Sequence, residues 1–207
     1  MAARFLDFSA QITALLSILL IGVALALSAC SNDVTRRDVA ESLTELVIIP
    51  RYEAAAESAE AMTERTRILV SDPTAGRLEA ARDSWREARL NWSRIQAYTF
   101  GPVMERRLAS QVEWWPIDEE KILAALTRTS ISAEDVRETF AADQRGLSTL
   151  EYLLFDESED VLERLRSGDG AYGQYLTALA TVIADALRLA ADDWIDDYGA
   201  VFSGTGD

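Results

Sequence analysis

The sequence predicts an all-α protein, an up-and-down four-helix bundle with irregular end segments. Four long stretches place apolar side chains at alternating steps of three and four, the spacing that gathers them on one face of a helix. No stretch alternates apolar and polar residues in the manner of a strand. The four prolines of the 207-residue chain fall where a helix has to stop or bend.

Residues 1–29 read as a signal peptide. Arg4 supplies a thin positive start, Ala10 to Leu27 is largely apolar, and Leu27-Ser28-Ala29-Cys30 fits a bacterial lipobox. The apolar run is nearly long enough to span a bilayer, so an uncleaved anchor is the alternative. The only cysteine stands directly behind Leu-Ser-Ala, which favours lipidation of Cys30, by palmitate or a similar chain. Residues 30–37 form a polar tether, 38–200 the helical bundle and 201–207 a frayed tail. That reading places the protein in the cell envelope, anchored to the inner or outer membrane and facing the periplasm.

Asp38 to Ile49 reads as a helical approach that Pro50 breaks or kinks. The first long helix spans Arg51 to Val70, with Tyr52, Ala55, Ala59, Met62, Thr66 and Leu69 inward. Asp72 or Thr74 caps the second, Ala75 to Thr99, whose stripe is Leu78, Ala81, Trp85, Ala88, Trp92 and Ile95. Arg82, Arg86 and Arg89 sit among acids there and read as a solvated face. Gly101-Pro102 stops that helix. Val103 to Asp118 is irregular, and Trp114-Trp115 reads as a plug at one end of the bundle, or else as a pocket wall. A short helix runs to Leu126, and Ser132 with Asp135 resembles an N-cap. The third long helix spans Ala133 to Phe155, on the stripe Val136, Phe140, Asp143, Leu147, Leu150 and Leu154. After the acidic run Asp156 to Asp160 and a short helical piece, the fourth spans Ala171 to Tyr198. Its inward face is Tyr172, Leu176, Leu179, Ile183, Ala186, Ala190 and Trp194.

The formal net charge is −15, and removing the leader leaves it unchanged because Arg4 and Asp7 cancel. Such a chain repels nucleic acid and suits cations or a basic partner. It has no histidine, which excludes a histidine general base, a histidine triad and any histidine-ligated metal. No phosphate-binding or dinucleotide glycine pattern is present. The chemistry left open is that of carboxylates. Asp143 and Glu151 on one helix are separated by about 12 Å of rise. To hold one ion they need help from Glu105, Glu113 or Asp118 in the irregular segment. Oxygen-only ligands point to a hard cation such as ferric iron, calcium or magnesium. The competing reading is structural: Asp143 paired with an arginine or capping the irregular segment, Glu151 bonded to a tryptophan indole or to backbone N–H groups of the Gly101 loop.

The stretch Gly146-Leu147-Ser148-Thr149-Leu150-Glu151 followed by Tyr152-Leu153-Leu154-Phe155 resembles the signature of the imelysin family, G-x-H-x-x-E before an apolar run. Ser148 stands where the family has histidine. Trp85 and Trp92, Phe100-Gly101-Pro102, Trp114-Trp115-Pro116-Ile117-Asp118 and Ile49-Pro50-Arg51-Tyr52 extend the likeness from Val47 to Phe155. The resemblance implies the first of two helical bundles and a link to iron acquisition through envelope iron-uptake proteins. It also carries the family's former classification as a metallopeptidase, which a chain without histidine does not suit. The reading is therefore a binding protein that is no catalyst, with a metallopeptidase or a scaffold docking another envelope protein as alternatives. A pocket is expected where the Phe100-to-Pro116 segment crosses Gly146, with Ser148 and Glu151 as floor, Phe100 and Trp115 as walls, and Arg94 and Gln96 nearby.

The lipobox is tested by mass spectrometry of the protein extracted from membranes. An acylated N-terminal Cys30, lost in Cys30→Ser, is the expected result; an intact N-terminus at Met1 refutes it.

Overall fold

The computed structural model describes residues 34–155, 160–168 and 170–204. The leader, the lipobox with Cys30, the acidic residues 156–159 and the last three residues lie outside these. The chain divides into two compact units, 1–39 and 40–207. In the first, the Thr35 amide and hydroxyl donate to Asp38 Oδ2 at 2.8 and 2.9 Å.

The regular structure of the second unit is all helical, with no strand among the described residues. Helix α1 (Arg36–Leu43) passes through a wide π turn, Thr44–Ile48, into α2 (Ile49–Ser71). Pro50 therefore does not break the helix. It sits in the first turn of α2, directly after the widened turn, where a missing N–H is tolerated. Thr74 caps α3 (Ala75–Ile95), accepting from the Arg77 amide. The last residues expected in this helix form a 3-10 turn, Gln96–Tyr98. Short helices α4 (Pro102–Glu105), α5 (Ala109–Val112) and α6 (Glu119–Ala125) make up the irregular segment. Helix α7 (Leu147–Leu154) carries the signature, α8 (Val161–Arg166) is short, and α9 (Gly170–Asp193) is long. Another π turn, Trp194–Tyr198, leads from α9 into α10 (Gly199–Ser203), so the chain is helical to Ser203 where fraying was expected from Val201.

Helix α2 lies between α3 and α9, and α7 packs against both α3 and α9 to fill the fourth position of the bundle. The inward faces read from the sequence are buried in all three long helices. Tyr52, Ala55, Ala59, Met62 and Leu69 of α2 are fully enclosed, and Trp85 and Trp92 of α3 are 7% and 3% exposed. Alanine and glycine at the contacts let the helices approach closely. A Cβ on Gly173 would meet Val70 Cγ1 at 2.8 Å. Thr63 Oγ1, buried between the helices, reaches the Ala180 carbonyl at 2.9 Å, so α2 and α9 are also joined by a hydrogen bond.

One end of the bundle is closed by aromatic rings. Trp194 is fully buried and packs against Tyr52, Phe100, Tyr198 and Phe202 at centroid distances of 5.9, 5.5, 5.0 and 5.8 Å. The Tyr52 hydroxyl donates to the Tyr98 carbonyl at 2.6 Å, tying the end of α3 to α2. Trp114 and Trp115 are not this plug, since they are 44% and 75% exposed.

The long helix expected over 133–155 is broken. Asp135–Thr139 is a π turn, Phe140 and Ala141 are extended, Ala142–Gln144 is a 3-10 turn, and Gly146 precedes α7 at φ 89°. Tertiary partners take the backbone groups that a helix would have used. The Asp143 carbonyl accepts the Asp118 amide at 2.9 Å, and the Gln144 carbonyl accepts the Tyr175 hydroxyl. Arg145 donates to the carbonyls of Arg137 (2.8 Å) and Ser110 (3.2 Å). Val136, Phe140, Leu147, Leu150 and Leu154 are nevertheless all buried, as the stripe requires.

Trp85→Ala or Trp92→Ala is expected to cost about 3–5 kcal/mol, read from urea melts. A loss below about 1 kcal/mol would mean that the site collapses around the missing indole, against the close packing described.

Candidate functional site

At the start of α7 the backbone of the irregular segment lies against Gly146. A Cβ there would stand 2.9 Å from the Val112 carbonyl oxygen and 3.0 Å from Glu113 Cα. Gly146 is required twice, for this approach and for its positive φ, which side chains other than glycine rarely adopt. The expected crowding is present, although Gly146 caps α7 and is not interior to a helix.

The crossing delivers Glu113 to α7. The buried Ser148 hydroxyl donates to Glu113 Oε1 at 2.5 Å, and Glu113 Oε2 pairs with the Arg89 guanidinium of α3. The Glu113 side chain is only 14% exposed, so this pair is held largely out of water. Trp85, one turn before Arg89, donates its indole N–H to the Leu147 carbonyl at 2.9 Å. The other arginines of α3 are not a purely solvated face either. Arg82 Nε donates to the Leu154 carbonyl at 2.9 Å, and the Arg82 and Arg86 guanidinium carbons lie 5.2 and 5.0 Å from the centre of the Phe155 ring. Cations at the end of α7 match the partial negative charge of a helix C-terminus.

The other expected site residues are dispersed. Glu151 is exposed on the outer side of α7, so it does not share a pocket floor with the buried Ser148. Phe100, Gly101 and Pro102 pack at the aromatic end, where a Cβ on Gly101 would overlap the Tyr198 ring at 2.4 Å. Arg94 and Gln96 are exposed, and Arg94 lines a separate groove with Leu46 and Arg51. Glu105 is exposed as well. Trp115 leads into an open acidic groove formed by Pro116, Asp118, Glu119, Glu120 and Asp143.

In that groove Asp118 and Asp143 do come together, around the chain's single lysine. Lys121 Nζ lies 2.9 Å from Asp118 Oδ2 and 2.7 Å from Asp143 Oδ2. Hydrogen bonds donated to Asp143 and then to Asp118 hold the Lys121 ammonium above its usual pKa, and the bond from Lys121 is the main cause lowering that of Asp118. Asp143 is thus paired with a lysine, where the structural reading offered an arginine partner or a capping role. Burial also pushes the Tyr175 hydroxyl up, with the Asp143 charge adding to the effect.

Neither arrangement fits a transition metal. At the signature a hydroxyl is committed as donor and a guanidinium lies on the carboxylate; in the groove an ammonium stands between the two acids. Zinc sites need nitrogen or sulfur ligands and, for catalysis, an open position. Among the described residues no three acids or cysteines converge to hold an ion. The sequence reading considered Glu113 only as a metal ligand and missed its partner Arg89. The available signal was the position of Arg89 at the edge of the stripe, four residues after Trp85.

A family model described as imelysin (peptidase M75) matches residues 48–206. Iron-regulated protein A of Synechococcus elongatus is 31% identical over 176 residues, 84% of this chain and 45% of that protein. Two crystal structures share the fold at TM-score 0.66. One is a putative iron-regulated protein A precursor from Parabacteroides distasonis, 18% identical over 80% of this chain and 49% of its own. The other is an imelysin-like protein from Psychrobacter arcticum, 16% identical over 80% of this chain and 51% of its own. The chain therefore spans about half the length of these relatives.

Gly146→Ala is expected to destabilise by at least about 2 kcal/mol, combining left-handed strain with the clash on Val112. Gly76→Ala in α3, with nothing within 4 Å of the new methyl, is the reference and should stabilise by about 0.4–1 kcal/mol. Equal effects in parallel urea melts would contradict the close approach.

Proposed function

Because the chain belongs to the imelysin family, we propose that it is a binding protein of the cell envelope linked to iron acquisition, and not a catalyst. The observation that carries this reading is the Arg89–Glu113–Ser148 chain. Where the family signature has histidine, the serine hydroxyl is held by a carboxylate that is itself held by a guanidinium. Such a set offers neither the nitrogen ligands nor the open position of a hydrolytic zinc site. Its parts tie three segments together and activate no nucleophile, because the acid beside Ser148 is already neutralised by Arg89.

The iron link is supported by the relative named as iron-regulated, from which it is carried to this chain. The lipobox supports a place: a lipid on Cys30 holding the domain at the membrane, facing the periplasm and its iron-uptake proteins. No helix among the described residues is long and apolar enough to cross a membrane. A second reading, a scaffold docking another envelope protein, draws on the exposed side chains of Met104, Trp114 and Trp115.

The test uses the lipoprotein purified from membranes. It is expected to hold no stoichiometric zinc or iron after dialysis, to leave casein intact with and without chelator, and to be more abundant in iron-starved cells. Chelator-sensitive cleavage of casein would restore the metallopeptidase reading. Stoichiometric metal would overturn the account of the signature, and an abundance indifferent to iron would remove the iron link.

A further inference from the structure

A second groove lies between the Thr44–Ile48 turn with the start of α2 and the last turn of α3. Leu46, Val47 and Pro50 form an apolar wall, Asn91 and Arg94 face it from α3, and Arg51 joins from α2; the volume is about 470 Å³. That is within the range of small-molecule sites. Leu46 is 75% exposed, an uncovered leucine beside two positive charges.

Neither charge is engaged by a carboxylate among the described residues, in contrast to Arg86 with Asp83, Arg137 with Asp185 and Arg188 with Glu60. Among the described residues Arg51 has no hydrogen bond or ion pair, and Arg94 makes one hydrogen bond, to Asn91 Oδ1 at 2.9 Å. Asn91 is 6% exposed, and its Nδ2 donates to Glu87 Oε1 at 3.2 Å, which turns Oδ1 toward Arg94. A buried amide thus braces one guanidinium and leaves most of its five N–H groups available.

We propose that this groove binds a small organic monocarboxylate with an apolar body. The two guanidinium groups take the carboxylate, for which their planar forks are suited. Leu46, Val47 and Pro50 cover the apolar part. A monoanion is favoured over phosphate dianions and polyanions because the net charge of −15 repels each added negative charge. This site is separate from the signature and does not rest on the family assignment.

The carboxylate has two possible sources, a free acid or a peptide C-terminus. The full chain is titrated calorimetrically with 4-phenylbutyrate, its primary amide, and a tripeptide ending in phenylalanine as free acid or amide. At least one of the two acids is expected to bind about tenfold more tightly than its amide, and which acid does so identifies the source. Arg51→Gln and Arg94→Gln should each weaken that binding about fivefold or more, while Arg65→Gln, exposed on α2 outside the groove, leaves it unchanged. Both groove arginines are exposed, so circular dichroism should show all variants folded. Equal affinity for acids and amides, absence of binding by both acids, or arginine variants that bind as well as wild type would overturn the proposal.

Discussion

The contact between the Val112–Glu113 backbone and Gly146 is the constraint on which the signature region depends. It leaves no room for a side chain, so the crossing segment and α7 meet backbone to backbone. Glu113 then falls within reach of Ser148 and Arg89. The same approach ends any helix that might have run on from Thr139, because a residue at φ 89° cannot continue one. Trp85 and Arg82 hold α7 at both ends, through the carbonyls of Leu147 and Leu154. The Leu154 carbonyl lies in the last turn of α7, where the helix supplies no partner, and the bond from Arg82 fills that place.

Much of the fold was legible because burial leaves a periodic trace. Every residue named on the stripes of the three long helices is buried. The third stripe from Val136 to Leu154 was read correctly as a buried face and incorrectly as one helix. Spacing records which side chains point inward; it does not record where the backbone groups go. Between Phe140 and Gly146 the carbonyls of Gln144 and Asp143 bind Tyr175 and Asp118, partners that no local pattern in the sequence announces. The signature was legible as a place and not as a set. Gly146 and Ser148 are at the crossing, Glu151 is outside, and the partners of Ser148 come from segments 35 and 59 residues away in sequence.

Positive side chains have a consistent part in this acidic protein. Arg89 lies on a shielded carboxylate, Lys121 stands between Asp118 and Asp143, and Arg106 pairs with Asp193 to fasten the irregular segment to α9. Lys121 neutralises two acids that would otherwise repel one another across a short distance. Removal of one such cation leaves a partly buried carboxylate uncompensated, which costs more than the pair contributes when intact. The composition, 20 basic against 35 acidic residues, makes each internal pairing hard to replace from within the chain.

The π turns Thr44–Ile48 and Trp194–Tyr198, which face each other at one end, carry a consequence for how this fold can vary in length. Trp194–Tyr198 holds one residue more than the equivalent stretch of α-helix, so a deletion within it would leave a continuous, fully bonded helix. Everything beyond would rotate by about 100°. Phe202 would leave Trp194, and Gly199 would no longer present its bare backbone to Thr44 in the facing turn. Single-residue insertions and deletions at this end are therefore silent for the backbone and disruptive for packing. A homologue that lacks one turn should show a compensating change in the other, or a smaller residue in place of Trp194.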